Sequence, residues 1–237
     1  MRPTADETRA YLVEHFVPLS ALVESAGVSE SEIQALQAAG CIPGPSYRVT
    51  SPDRVGSFVF GETVIPGMGP SGEYYARSVS TWVKAAVKGR QLHALDALGP
   101  KFADEFKSEL KAVLRARRAW QSGLDFLFAA PGVEHTEAMQ KFLDETWRHF
   151  LAGTYGVCVR DANTVSVIAE KEILQHQLTL LTQNGAKFTY TRAEWTVVNE
   201  VMLAYEAVTM PFAPHEYPRS SRKRLVEDLR ARAVVDP

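Results

Sequence analysis

Five successive segments after residue 73 return to one face of a helix every third or fourth position, and this spacing constrains the fold more than any other feature of the chain. Tyr74 to Lys88 is the first. Phe102, Phe106, Leu110, Val113 and Arg117 align in the second, and Met139, Phe142, Leu143, Trp147 and Phe150 in the third. Val167, Leu174, Leu178 and Leu181 mark the fourth, and Trp195, Val198, Met202, Tyr205 and Thr209 the fifth. Such stripes are the signature of helices burying one side. A last helix is expected from about Ser220. No strand–helix–strand rhythm appears, which argues against a doubly wound sheet.

Before residue 73 the pattern changes. Residues 5–16 read as a short helix stopped ahead of Pro18, because proline disfavours the helical conformation in the residue before it. Leu19 to Val23 and Ile33 to Ala39 form two further short helices around Gly27, with Ser29 and Glu32 spaced as a capping box. Residues 40–72 are dense in Gly and Pro, with Phe58-Val59-Phe60 as a short strand, and read as a linker or a ligand-covering loop. The expected organisation is mainly α: a helix-turn-helix-like module over 1–46, a Gly/Pro-rich loop with little strand over 47–72, and a helical main domain over 73–237.

Totals exclude several classes. The 237 residues carry a net charge of −2, so no global field favours nucleic acid or an acidic membrane. No apolar run approaches the roughly 18 residues of a membrane span. Met1 to Glu7 lacks a basic head followed by an apolar stretch, which predicts no secretory leader and a cytoplasmic location. Cys41 and Cys158 are far apart and are expected as free thiols. None of the six histidines sits in a HExxH, HxH or His-plus-Cys spacing, and no GxGxxG, GxSxG or phosphate loop is present. Neither a metal nor a cofactor is expected.

Leu19 to Pro43 resembles the helix-turn-helix of the mercury-resistance-type (MerR) regulators. Its charge is wrong for that role. Over residues 1–46, Arg2 and Arg9 stand against Asp6, Glu7, Glu14, Glu24, Glu30 and Glu32, and residues 29–39 hold two glutamates and no cation. DNA affinity rests largely on cations that neutralise phosphates, so a structural or docking role is expected and nucleic acid is not.

The most informative polar stretch is Pro211 to Arg224. His215, Glu216 and Tyr217 lie between prolines, and Arg219, Arg222, Lys223 and Arg224 follow at the start of a helix, where cations are locally unfavourable. A sulfate, phosphate or carboxylate would relieve that conflict through Ser220, Ser221 and the guanidinium forks. A solvated basic turn, paired with nearby acids, would do so as well. Gly153 to Arg160 interrupts two helices and offers Arg160 and Tyr155 as further contacts, or serves only as a tight connector. Glu62 and its aromatic neighbours flank the Gly/Pro loop.

Tyr155 to Arg160, Ala169-Glu170-Lys171-Glu172, and Phe212 to Arg222, together with Cys41 to Tyr47, resemble an actinobacterial family of unassigned function (DUF6058-like) associated with natural product biosynthesis. Its neighbourhood includes the aziridine-forming proteins of azinomycin and vazabitide biosynthesis. That resemblance implies a cofactor-independent antibiotic-biosynthesis enzyme, or a subunit of one, that works with a partner protein as a heterodimer. An acidic amino-group carrier protein would present an amino acid intermediate, and an amine would close an aziridine ring by expelling sulfate. The chemistry then assigns Arg160, Arg219, Ser220, Ser221, Arg222 and Arg224 to the anion, Glu216 or His215 to the proton, with Glu62 in reserve, and Tyr155 and Tyr217 to substrate positioning. The alternatives are a MerR-like transcriptional regulator and a non-catalytic accessory subunit.

Overall fold

The computed structural model describes residues 3–118, 124–130 and 133–236. Arg2, one of the two cations counted in the N-terminal segment, lies outside them. The chain opens with α1 (Ala5–His15), held by a reciprocal capping box between Thr4 and Glu7, and passes into β1 (Phe16–Pro18). Two short helices follow, α2 (Leu19–Ala26) and α3 (Glu30–Ala38); Ser29 caps the second by accepting from the Glu32 amide.

The expectation of a mainly α chain with little strand is overturned in the next segment. Residues read as a Gly/Pro loop form β2 (Tyr47–Ser51), β3 (Arg54–Ser57) and β4 (Gly61–Val64), and β5 (Gly72–Ala76) follows. With β1 they make a five-stranded antiparallel sheet of order β1-β5-β2-β3-β4, so the fold is mixed α/β. Tyr74 and Tyr75, expected to open a helix, lie in β5, where Tyr75 faces Val17 and Tyr74 faces Tyr47. The physical reason is alternation: Tyr47 and Val49 are buried while Arg48 and Thr50 are exposed, the period of a half-buried strand. The glycines and prolines terminate short strands. At the β3–β4 turn, Ser57 pairs with Gly61, and Gly61 takes a φ of +72°, the left-handed conformation that closes a three-residue hairpin loop.

The helices then run α4 (Val79–Arg90), α5 (Leu95–Arg118), α6 (Thr136–Leu151), α7 (Thr154–Cys158), α8 (Val165–Leu181), α9 (Arg192–Val208) and α10 (Asp228–Arg232). A two-stranded ribbon, β6 (Phe128–Ala130) and β7 (Val133–Glu134), lies between α5 and α6; β8 (Thr189–Thr191) pairs in parallel with β9 (Val234–Asp236). One apolar cluster runs from Leu12, Leu22, Ile33 and Leu36 through the sheet residues Tyr47, Val55 and Tyr75 into Leu110, Phe150 and Ile168. A second, around Leu178, Met202, Tyr205 and Leu225, joins α8 and α9 to the C-terminal segment. Because α2 and α3 share the first cluster, they are built into the main body. Among the described residues, no helix is long and apolar enough to cross a membrane.

Candidate functional site

α7 is only five residues long, and the glycines around it fix where its side chains go. Gly153 has a φ of +73°, and a Cβ there would stand 2.5 Å from the Gly44 carbonyl oxygen. A Cβ on Gly156 would stand 2.0 Å from the Ser46 hydroxyl. This close seating against the start of β2 buries Tyr155, Val157 and Cys158 and turns them toward α8.

There they wall a polar cavity of about 360 Å³. α6 contributes Phe142, Glu145, Thr146 and His149, and α8 contributes Lys171, Glu172 and Gln175. The β3–β4 turn covers it with Val59 and Phe60, and the C-terminal segment adds Phe212, Arg219, Ser221 and Arg224. Three cations thus meet two carboxylates.

The floor is an ion pair on α8, whose third charged residue, Glu170, is paired with Arg117. Lys171, 6% exposed, donates from Nζ to Glu172 Oε1 at 3.1 Å. Burial alone would lower the Lys171 pKa. The acidic neighbours outweigh it and raise the value, and of these Glu172 carries the charge at neutral pH. Cys158 stays neutral there, its thiol pushed up to about 11 by burial. Burial and then Glu172 hold the Tyr155 phenol well above its ordinary range, so it stays protonated.

His149 shows the opposite shift. Burial, then the adjacent Arg148, lowers its pKa, so it is neutral at physiological pH. Its Nδ1 lies 3.2 Å from the Thr154 hydroxyl, and its ring packs edge-on against Phe58 at 5.8 Å. Arg148 lies over the same Phe58 ring at 5.6 Å. On the opposite side of the turn Arg219 donates to the Phe60 carbonyl at 3.0 Å and rests 5.2 Å from the Phe60 ring. The turn is therefore held over the cavity by an arginine on each flank.

Of the residues expected from the sequence, the structure brings Tyr155, Arg219, Ser221 and Arg224 to this cavity. Ser221 also shares a 2.7 Å hydrogen bond with Tyr205. The others lie elsewhere. Glu216 is fully buried beneath the sheet and accepts from Tyr47 at 2.5 Å and Ser57 at 2.6 Å. His215 is buried beside it, its Nε2 3.7 Å from Glu216, and neither ring nitrogen has a hydrogen-bond partner among the described residues. Ser220 accepts from the Lys223 amide, and Arg222 lies 3.6 Å from Glu206. The Tyr217 hydroxyl is buried without a partner among the described residues. Arg160 is exposed, its amide bonded to the Val208 carbonyl. Glu62 is exposed on β4, accepting from Thr50 at 2.8 Å and lying 3.6 Å from Arg54.

Sequence patterns gave no role to Lys171, Glu172 or His149. The signal available was a run of three alternating charges, Glu170-Lys171-Glu172, in a segment, Val165 to Leu181, that buries residues on nearly every side. A buried charge must be paired, so such a run marks either a structural pair or a site.

A second cavity, of about 490 Å³, lies between α4, α5 and α6 and is lined largely by Trp82, Leu98, Phe102, Phe106 and Trp147. Its lining is mainly apolar, with Lys88, His93, Lys101, Glu105 and Glu109 also on it. Among the described residues, no group of three or more His, Cys, Asp or Glu is placed to hold a metal ion.

No curated protein and no solved structure matches the chain. Residues 99–233, which carry the floor of the polar cavity and all three of its cations, match a family model described as a family of unknown function (DUF6058). That match spans more than half of the chain, and the protein belongs to the DUF6058 family.

Proposed function

We propose that the polar cavity is the active site of a cofactor-independent biosynthetic enzyme that closes a ring by intramolecular amine attack with departure of sulfate. The observation that carries this reading is the convergence of buried Lys171 with Arg219 and Arg224 on one small cavity that also holds a neutral histidine. Convergent cations stabilise charge that develops on a leaving oxyanion, and a neutral imidazole can accept a proton from a bound ammonium.

The step balances without a redox partner. The substrate ammonium gives one proton to His149. The freed lone pair forms the N–C bond as the C–O bond to sulfate breaks, its electron pair leaving with the sulfate on Arg219 and Arg224. The three-membered ring departs as an aziridinium ion that loses its second proton to water. Confinement in a cavity of this size holds the amine and the leaving group in an anti arrangement. The resemblance supplies the rest of the reading: an acidic amino-group carrier protein as donor of the substrate, and a partner subunit.

Mass spectrometry of a carrier-linked amino sulfate, incubated with the protein alone and with its co-encoded neighbour, tests this reading. Loss of sulfate without uptake of water is the expected result. An unchanged mass in both incubations, or loss of sulfate with gain of water, would remove it.

A further inference from the structure

The floor of the cavity pairs two opposite charges, and neither is saturated by the other. An ammonium has three N–H donors. Lys171 gives one to Glu172 and makes no other hydrogen bond among the described residues, although the side chain is more than nine-tenths buried. A buried ammonium with open donors costs free energy unless something fills them. Glu172 is about one-fifth exposed and opens onto the same cavity.

We propose that the Lys171–Glu172 pair is a receptor for the zwitterionic head of an α-amino acid, Lys171 taking the carboxylate and Glu172 the ammonium. This rests on the same cavity and on the function proposed above, and departs from it in one respect: the amino acid head is free and is not held through its amino group by a carrier. The two charges of an α-amino acid head lie close in space, as the two charges of the pair do with Nζ 3.1 Å from Oε1, so a docked head group completes both ions. A lone carboxylate or a lone amine would leave one of them half-filled. The tail then points to the cations at the mouth, Arg219 and Arg224, of which Arg224 is exposed and Arg219 lies beside Phe60. The substrate class is accordingly a 2-amino acid with a second, anionic group on its side chain. Docked this way, the ammonium reaches the side of the cavity that holds His149.

Calorimetric titration of the full chain tests this with five probes: O-sulfo-L-serine, 2-aminoethyl hydrogen sulfate, 3-sulfooxypropanoate, L-serine and inorganic sulfate. O-sulfo-L-serine is expected to bind tighter than either single-headed sulfate ester by about tenfold or more, the value of one charge-assisted hydrogen bond. Lys171→Met is expected to erase its advantage over 2-aminoethyl hydrogen sulfate, and Glu172→Gln its advantage over 3-sulfooxypropanoate. The wild-type series decides the matter if either variant fails to fold. Equal affinity for O-sulfo-L-serine, its truncated analogues and sulfate overturns the head-group receptor while leaving the sulfate site standing. Binding of L-serine without any binding of sulfate supports the receptor and removes the sulfate reading.

Discussion

Tyr47 Oη donates a 2.5 Å hydrogen bond to Glu216 Oε2, joining β2 to the C-terminal segment across 169 positions of sequence. Ser57 completes the arrangement from β3, and all three groups are buried. Burial raises the Glu216 pKa, and the two hydroxyls work against that rise by bonding to the carboxylate. Tyr47→Phe removes one of two donors to a buried carboxyl group and is expected to destabilise the fold by about 2 kcal/mol. Glu216→Ala strands both hydroxyls and is expected to cost more. Urea denaturation of the two variants checks the order, and a Glu216→Ala protein as stable as Tyr47→Phe would show that the clasp does not hold the segment.

His215 gives the fold an acid limit. Burial, then Arg219, depresses its pKa from 6.5 to about 4. A histidine held neutral in the fold but free to protonate when unfolded contributes stability that is complete above pH 6.5. That contribution is lost as the pH falls toward 4. The loss is at most about 3.5 kcal/mol, since each tenfold change in proton affinity is worth about 1.4 kcal/mol. Thermal melts between pH 7 and 4 should show this slope, and His215→Phe should flatten it.

Gly156→Ala is expected to destabilise by about 1–3 kcal/mol, because a Cβ there would overlap the Ser46 hydroxyl and the Ala76 methyl. The same displacement would move Tyr155 in the cavity wall, so ligand affinity should fall with stability. Double substitution with Ser46→Ala should recover part of both, because it removes the nearest atom.

His149→Ala should lower kcat and leave KM nearly unchanged if the imidazole only moves a proton. Because its pKa lies below the ordinary histidine value, the wild-type rate should already be on its plateau near pH 7 and fall only on acidification. A rate that stays flat below that range would mean that another group accepts the proton.

The N-terminal helices should not shift DNA at physiological salt. Glu32 on α3 is paired with Arg90 on α4 at 2.7 Å, and Gln37 donates to Tyr75 at 3.1 Å. Two polar groups of the helix that would read a groove are thus already engaged, and its remaining glutamate repels phosphate. A retarded band in an electrophoretic assay at that salt would contradict this.

How far the sequence could be read differs between the two halves. The long helices α5, α6 and α9 were legible because each buries one stripe, as at Phe106 and Leu110 in α5 or Val198 and Met202 in α9. The sheet was hidden because its strands are three to five residues long and its turns are Gly/Pro-rich, so local composition masked the alternation at Tyr47, Arg48, Val49 and Thr50. In the C-terminal segment the charges at Arg219 and Arg224 pointed to the cavity. His215 and Glu216, four or fewer positions from Arg219, turn into the core instead, a choice set by the 3-10 turn at Tyr217–Arg219 and the π-helical turn at Lys223–Glu227. Lys171 and Glu172 were obscured by their apolar surroundings.

The cavity has two origins along the chain. Its charges come from positions within the family-matched stretch, 99–233, whereas its cover, Val59 and Phe60, precedes that stretch. Chemistry and admission are thereby separable. Replacing Val59 while keeping Phe60, on which Arg219 rests, would change which side chains a ligand must pass and leave the ions that receive it in place, so that position is where a new substrate range could be grafted onto an unchanged reaction.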